Sequence, residues 1–226
     1  VISNIDGNMA CCKDENMTCG EGGCGDCESC ECRPHEKMTA PFVGKILPDM
    51  SFEAYQDEKI KDIKLSDYRG KWLILFFYPK DFTFVCPTEL EEMAEHYDKF
   101  KKMNTEVLSV SCDTVYVHKA WHDVSEAIKK VEYPMVSDPT GKLSKALGVY
   151  INEEGVSLRA TFVVNPEGKV VSMEVNDNDI GRSAGELVRK LQAAQFISEH
   201  DGNVCPASWK PGDEPLTPGL NLVGKI

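Results

Sequence analysis

Hydrophobic residues change their spacing along the chain, and each change marks an element. Trp72-Leu73-Ile74-Leu75-Phe76-Phe77-Tyr78 is an unbroken apolar run bounded by Gly70 and Pro79, the pattern of a central strand covered on both faces. Leu90, Met93, Ala94, Tyr97 and Phe100 then follow helical spacing, with Pro87 placed where a first helical turn tolerates proline. Val107 to Val110 reads as a second strand, and Val117, Ala120, Trp121, Val124 and Ile128 as the apolar stripe of a second helix. Two further strands, Thr161 to Val164 and Lys169 to Val175, flank Asn165-Pro166-Glu167-Gly168, whose proline and glycine suit a type I turn and predict a hairpin. Ala184, Leu187, Val188 and Leu191 define a last long helix that ends before Asp201-Gly202. The remainder, punctuated by Pro206, Pro211, Pro215 and Pro218, predicts an irregular arm.

A βαβ unit, a further helix, a hairpin and a final helix form the element order of an α/β, thioredoxin-like fold, a central mixed sheet flanked by helices. The sequence predicts three parts: a cysteine-rich tail and linker over 1–40, the globular domain over 41–197, and the arm over 198–226. The first part contains no Phe, Trp or Tyr, so it has too little apolar surface to offset its chain entropy with a core of its own.

Charge and cysteine usage then narrow the function classes. A net charge of −12 disfavours nucleic acid and anionic membrane as partners, since both attract surplus positive charge. The longest apolar run is far below the ~20 residues that a spanning helix needs. The first residues carry neither a basic cluster nor a long apolar stretch, so the cytoplasm is the expected compartment. Seven of the ten cysteines fall within the first 32 residues, leaving Cys86, Cys112 and Cys205 for the rest. In a reducing compartment such a cluster reads as metal ligands or redox thiols.

Cys86 has the most informative setting. It follows the central strand and opens a helix, the place where open α/β sheets locate their sites. A cysteine in the first helical turn meets the positive end of the macrodipole and free backbone N–H groups, both of which favour thiolate. A lower pKa also weakens the nucleophile, so oriented donors must assist the chemistry as well. Two rivals are weighed against this reading. A thioredoxin-type exchanger needs C-x-x-C, but Glu89 occupies the position three after Cys86. A Cys–His hydrolase would need His96, His118, His122 or His200 tied to Cys86, and no motif makes that link. Cys112 reads as a buried structural thiol and Trp121 as core or site wall.

The segment Tyr78-Pro79-Lys80-Asp81-Phe82-Thr83-Phe84-Val85-Cys86-Pro87-Thr88-Glu89 carries the Pro-x-x-x-Thr-x-x-Cys signature of peroxiredoxins. With His118-Lys119-Ala120-Trp121-His122, Arg159-Ala160-Thr161-Phe162-Val163-Val164, Val204-Cys205-Pro206-Ala207, Trp209 and the closing Leu222-Val223-Gly224-Lys225-Ile226, the chain resembles typical two-cysteine peroxiredoxins of the bacterial alkyl hydroperoxide reductase C type from about Phe42 onward. The resemblance implies a thiol peroxidase acting on hydrogen peroxide and organic hydroperoxides. Cys86 would be the peroxidatic nucleophile and Cys205 the resolving thiol of a partner subunit. Thr83 would hydrogen-bond thiolate and substrate, Arg159 would supply fixed positive charge, and Pro79 would shield the sulfur. Glu89 and Arg182 match positions that orient the arginines, although as a surface ion pair they would contribute little. It further implies no cofactor for the peroxidase chemistry, homodimers assembling into decamers, and reduction by a flavoprotein disulfide reductase, a thioredoxin or a rubredoxin-like donor. Over-oxidation-prone members carry a Gly-Gly-Leu-Gly insertion and an aromatic C-terminal helix. Neither pattern occurs here, which implies a robust enzyme. The non-enzymatic alternative is a redox- or metal-responsive binding protein or holdase chaperone on the same scaffold.

The tail departs from that family pattern. Cys24, Cys27, Cys30 and Cys32 offer overlapping C-x-x-C spacings able to close around a soft metal such as zinc, or an iron–sulfur centre. The same thiols would also suit a tail that relays electrons to a disulfide.

Overall fold

The structure is a computed structural model and describes residues 41–225. Cys24, Cys27, Cys30 and Cys32 lie outside the described residues.

The central strand is β3, Trp72–Phe77, and all six residues are buried. Its alternation divides the interior into two layers. Trp72, Ile74 and Phe76 join one cluster with Leu90, Met93, Trp121, Leu187, Val188 and Leu191. Leu73, Leu75 and Phe77 join the other with Leu47, Leu65, Leu143, Leu147 and Phe162. A strand whose odd and even positions both meet protein must be apolar throughout, as this one is.

β3 lies parallel to β4 (Thr105–Ser111), and β4 parallel to β5 (Met135–Ser137). On the other side β3 pairs antiparallel with β8 (Arg159–Val164), which pairs with β9 (Val170–Asn176). The predicted hairpin forms: Gly168, at φ 77°, donates from its N–H to the Asn165 carbonyl. A hairpin of β1 (Ser51–Gln56) and β2 (Lys59–Lys64) extends the sheet beyond β5, giving the order β2-β1-β5-β4-β3-β8-β9. The short β6 (Tyr150–Ile151) and β7 (Val156–Ser157) pair separately.

Two helical expectations need correction. The first helix divides at His96 into α1 (Cys86–Glu95) and α2 (Tyr97–Lys102). Helical spacing runs through the break because Leu90, Met93, Tyr97 and Phe100 all enter the same cluster. The second helix, α3 (Val115–Val124), is rotated from the expected stripe. It buries Val115, His118 and Trp121, while Ala120 and Val124 face solvent, Val124 being 67% exposed. A histidine displaces an apolar residue from the buried face because it finds a buried carboxylate there. α4 (Lys142–Ala146) covers the second layer, and α5 (Ala184–Glu199) packs against α1 and β9. No helix among the described residues is long and apolar enough to cross a membrane.

The arm after α5 is irregular but anchored. Trp209 is buried 4.8 Å from the Phe196 ring, and its carbonyl accepts from Arg189 Nη1 at 2.9 Å.

Candidate active site

Cys86 is the first residue of α1, directly after the loop that leaves β3. Pro87 has no N–H, and the Thr88 and Glu89 amides bond to the Val85 carbonyl at 3.1 and 3.2 Å. The free amide donors expected in the first turn are therefore largely occupied, and a side chain meets the sulfur instead. Arg159 Nη1 lies 3.4 Å from Cys86 Sγ.

Strand parity brings that guanidinium here. Arg159, Thr161 and Val163 alternate along β8, and Val163 belongs to the α1-facing cluster. Arg159 is held from three directions: Nε donates to the Asn178 carbonyl at 2.8 Å, and Nη1 to Glu89 Oε2 at 2.7 Å as well as to the sulfur. Glu89 accepts three more bonds from Arg182, from its backbone N at 2.7 Å, Nε at 2.9 Å and Nη2 at 3.0 Å. Arg182 Nη1 donates to Thr161 Oγ1 at 3.0 Å, and its guanidinium stacks over the Phe76 ring at 3.6 Å.

Glu89, Arg159 and Arg182 are all buried, which corrects the expectation of a surface ion pair. Burial pushes the Glu89 carboxyl up, but the Arg182 hydrogen bonds and charge, joined by Arg159, hold it below its ordinary value. Burial draws Arg182 down, with Glu89 opposing. Two guanidiniums facing one carboxylate leave a surplus of one positive charge in a low-dielectric interior. Cys86 Sγ lies against that surplus, and Arg159 is the residue that brings the charge to it.

Pro79 is buried where β3 ends. Thr83 is half-buried, and its hydroxyl donates to the Lys80 carbonyl at 3.0 Å rather than to the sulfur. Cys86 itself is 0% exposed, so the sulfur is sealed rather than set at an open mouth. Phe82 and Phe84 on the preceding loop are turned outward, 55% and 92% exposed. Phe82 also adopts φ 55°, a left-handed conformation that costs a bulky residue roughly 1–2 kcal/mol.

Cys205 is half-buried on the arm, its Sγ 3.9 Å from the Ala193 carbonyl on α5, and burial pushes its pKa up. Both Cys86 and Cys205 are free thiols. Cys112 is half-buried rather than buried, and burial pushes its pKa up to about 11. The histidines serve other partners. His118 Nδ1 faces Asp81, His96 Nδ1 the Glu92 carbonyl, and His200 Nδ1 the Phe196 carbonyl, while His122 packs edge-on to Tyr55. A Cys–His pair therefore does not form at Cys86 among the described residues.

Thr161, Phe76 and the Asn178 carbonyl were missed from sequence. Parity with Arg159 was a usable signal for Thr161; the other two become partners only through the fold.

Known proteins share this arrangement of chain. A model of the AhpC/TSA family matches residues 43–173. Alkyl hydroperoxide reductase C of Salmonella typhimurium is 48% identical over 174 residues, covering 77% of this chain and 93% of the relative. That of Staphylococcus haemolyticus is 47% identical over 184 residues, with 80% and 97% covered. Among solved structures, Enterococcus faecalis AhpC superposes with a TM-score of 0.72 at 50% identity, covering 74% of this chain and all of that one. The reduced Plasmodium vivax 2-Cys peroxiredoxin gives a TM-score of 0.75 at 35% identity, covering 78% and 93%.

Proposed function

The chain belongs to the AhpC/TSA family, and from that premise we propose that Cys86 is the atom at which it reduces hydroperoxides. The protein is a peroxiredoxin, an antioxidant thiol peroxidase of the alkyl hydroperoxide reductase C type. The observation that carries the assignment to Cys86 is the Arg159 guanidinium 3.4 Å from its sulfur, itself clamped by Glu89.

The sulfur attacks one oxygen of the peroxide and forms an S–O bond as the O–O bond breaks. The sulfur loses an electron pair and becomes sulfenic acid, while the other oxygen takes a proton and leaves as water or alcohol. Arg159 opposes the charge that develops along the O–O bond, and its fixed orientation avoids reorganisation during the step. Thr83 can exchange the Lys80 carbonyl for an incoming peroxide oxygen, because a hydroxyl both donates and accepts. The sulfur supplies the electron pair, so the chemistry needs no metal or organic cofactor.

The second half-reaction joins the Cys86 sulfenic acid to Cys205 of a partner subunit as a disulfide and releases water. An external dithiol protein, such as a flavoprotein disulfide reductase, thioredoxin or rubredoxin-like donor, then restores both thiols. Hydrogen peroxide and organic hydroperoxides are the substrates, and the cytoplasm is the working compartment. Two surfaces suit homodimers that assemble into a decamer. β9 is the last strand of the sheet; its first residue, Val170, is bonded to Gly44 and Lys45, and Val175 further along is exposed, while Phe82, Phe84 and Tyr116 project from the loop before α1 and from α3. Peroxide consumption by wild type and by Cys86→Ser, with a small dithiol as reductant, tests the reading. Loss of turnover in the variant supports it, and unchanged turnover removes it.

A further inference from the structure

The loop that delivers Cys86 is tied down by a second buried cluster, on the opposite side from the arginines. The Asp81 and His118 side chains are both 0% exposed, with Nδ1 2.7 Å from Asp81 Oδ2. Asp81 Oδ1 accepts from Tyr78 Oη at 2.8 Å. The Asp81 backbone N–H donates to Asp113 Oδ2 at 2.9 Å, which also accepts from Ser111 Oγ at 2.7 Å. His118 Nε2 faces the Val136 carbonyl at 3.3 Å. A carbonyl only accepts, so Nε2 is the donor in that contact. One aspartate thus connects the end of β3, the end of β4, α3 and, through His118, β5.

An ionisable pair withdrawn from water is costly to bury, and burial pushes the Asp81 carboxyl up while His118 opposes the rise. The next residue, Phe82, is the strained left-handed one, and Cys86 lies five positions beyond Asp81. The segment between β3 and α1 is therefore pinned at both ends, by Asp81–His118 before it and by Glu89 with the two arginines after it. Cys86 contacts Arg159 only while the segment stays in place. To bond Cys205, which rests on α5, the same sulfur must leave its sealed position.

We infer that Asp81 and His118 are positioning residues that latch the Cys86 segment in its peroxide-reactive conformation and thereby set how the sulfenic acid divides between disulfide and sulfinic acid. The inference rests on the peroxidase reading. Disulfide formation joins sulfenic acid to a thiol and releases water. Sulfinic acid forms when the latched sulfenate attacks a second peroxide, gaining another oxygen and releasing water or alcohol. A tight latch favours the second outcome, and a loose one favours the first while slowing attack on peroxide.

The test compares wild type with Asp81→Asn, His118→Gln and Tyr78→Phe. Each is turned over with hydrogen peroxide and dithiothreitol, and the ratio of disulfide to sulfinic Cys86 is read by mass analysis beside the rate constant for peroxide. In Asp81→Asn and His118→Gln the ratio rises and the rate constant falls, each by ~10-fold, as for loss of one charge-assisted hydrogen bond. Tyr78→Phe keeps the ring and removes one hydrogen bond, so it shifts both quantities less and remains readable should the other variants fail to fold. Leu65→Ala weakens the other core layer without touching the latch, and its ratio stays at the wild-type value. Folded variants with wild-type ratios would overturn the inference, as would an equal shift in Leu65→Ala. Wild type that consumes no peroxide would instead remove the peroxidase reading itself.

Discussion

Arg159→Lys separates geometry from charge at the sulfur. In the native site one nitrogen, Nη1, reaches both Cys86 Sγ at 3.4 Å and Glu89 Oε2 at 2.7 Å, while Nε holds the Asn178 carbonyl at 2.8 Å. A lysine keeps the positive charge but offers a single ammonium on a flexible stem, which cannot occupy both positions with the same rigidity. Glu89 is the stronger attractor, so the ammonium settles there and the contact to sulfur is lost. A hydrogen bond to a charged group contributes ~1.5–3 kcal/mol. If that stabilisation acts in the transition state, the rate constant for peroxide falls ~10- to 150-fold. The assay is rapid-mixing oxidation of the reduced protein by hydrogen peroxide, with circular dichroism to confirm folding. Arg159→Met removes the charge as well and falls further. A folded Arg159→Lys within about threefold of wild type would refute the role given to guanidinium geometry.

Glu89→Gln leaves two buried guanidiniums without their shared carboxylate, and urea unfolding of the reduced protein should show a loss of about 3–5 kcal/mol. Glu89 is held below its ordinary 4.5, so its contribution is complete above that value and fades as pH falls through the lowered folded value. The stability gap between wild type and Glu89→Gln should therefore shrink on acidification below about 4.5 and stay constant above it. Cys112, pushed by burial to about 11, should react slowly with iodoacetamide near neutral pH, and Cys112→Ala should retain peroxidase activity, as peptide mass analysis and turnover respectively will show. Removing residues 1–37 should leave dithiothreitol-dependent peroxide consumption intact, because every residue assigned to the reaction lies in the described portion; loss of turnover would place the tail in the catalytic cycle.

The sheet's centre was legible because burial on both faces demands an unbroken apolar run, and Trp72 to Tyr78 supplies one. The hairpin of β8 and β9 was legible through its proline and glycine. The hairpin of β1 and β2 was not. Its turn places Asp57 and Glu58 at φ 51° and 57°, conformations usually announced by Asn or Gly, and its second strand sets its two isoleucines, Ile60 and Ile63, three apart among charges, which breaks the period of two at an exposed edge. β5, with three residues, is too short to carry a period. In the site, the motif and the matched block at Arg159 placed Cys86 and Arg159, whereas Thr161, which shares the parity of Arg159 on β8, was not singled out. Burial of the Glu89–Arg182 pair was not readable, since a charged residue has the same letter whether solvated or enclosed. The rotation of α3 follows the same logic. His118 looks like a surface residue until the fold brings Asp81 to it.

The most direct measurement treats fully reduced protein with one equivalent of hydrogen peroxide, blocks the remaining thiols, and maps the peptides without reduction. The expected product is a Cys86 peptide bonded to a Cys205 peptide, with Cys112 blocked and unoxidised. Cys86 recovered as an intact blocked thiol, with oxidation carried by other cysteines, would contradict the assignment on which the rest depends.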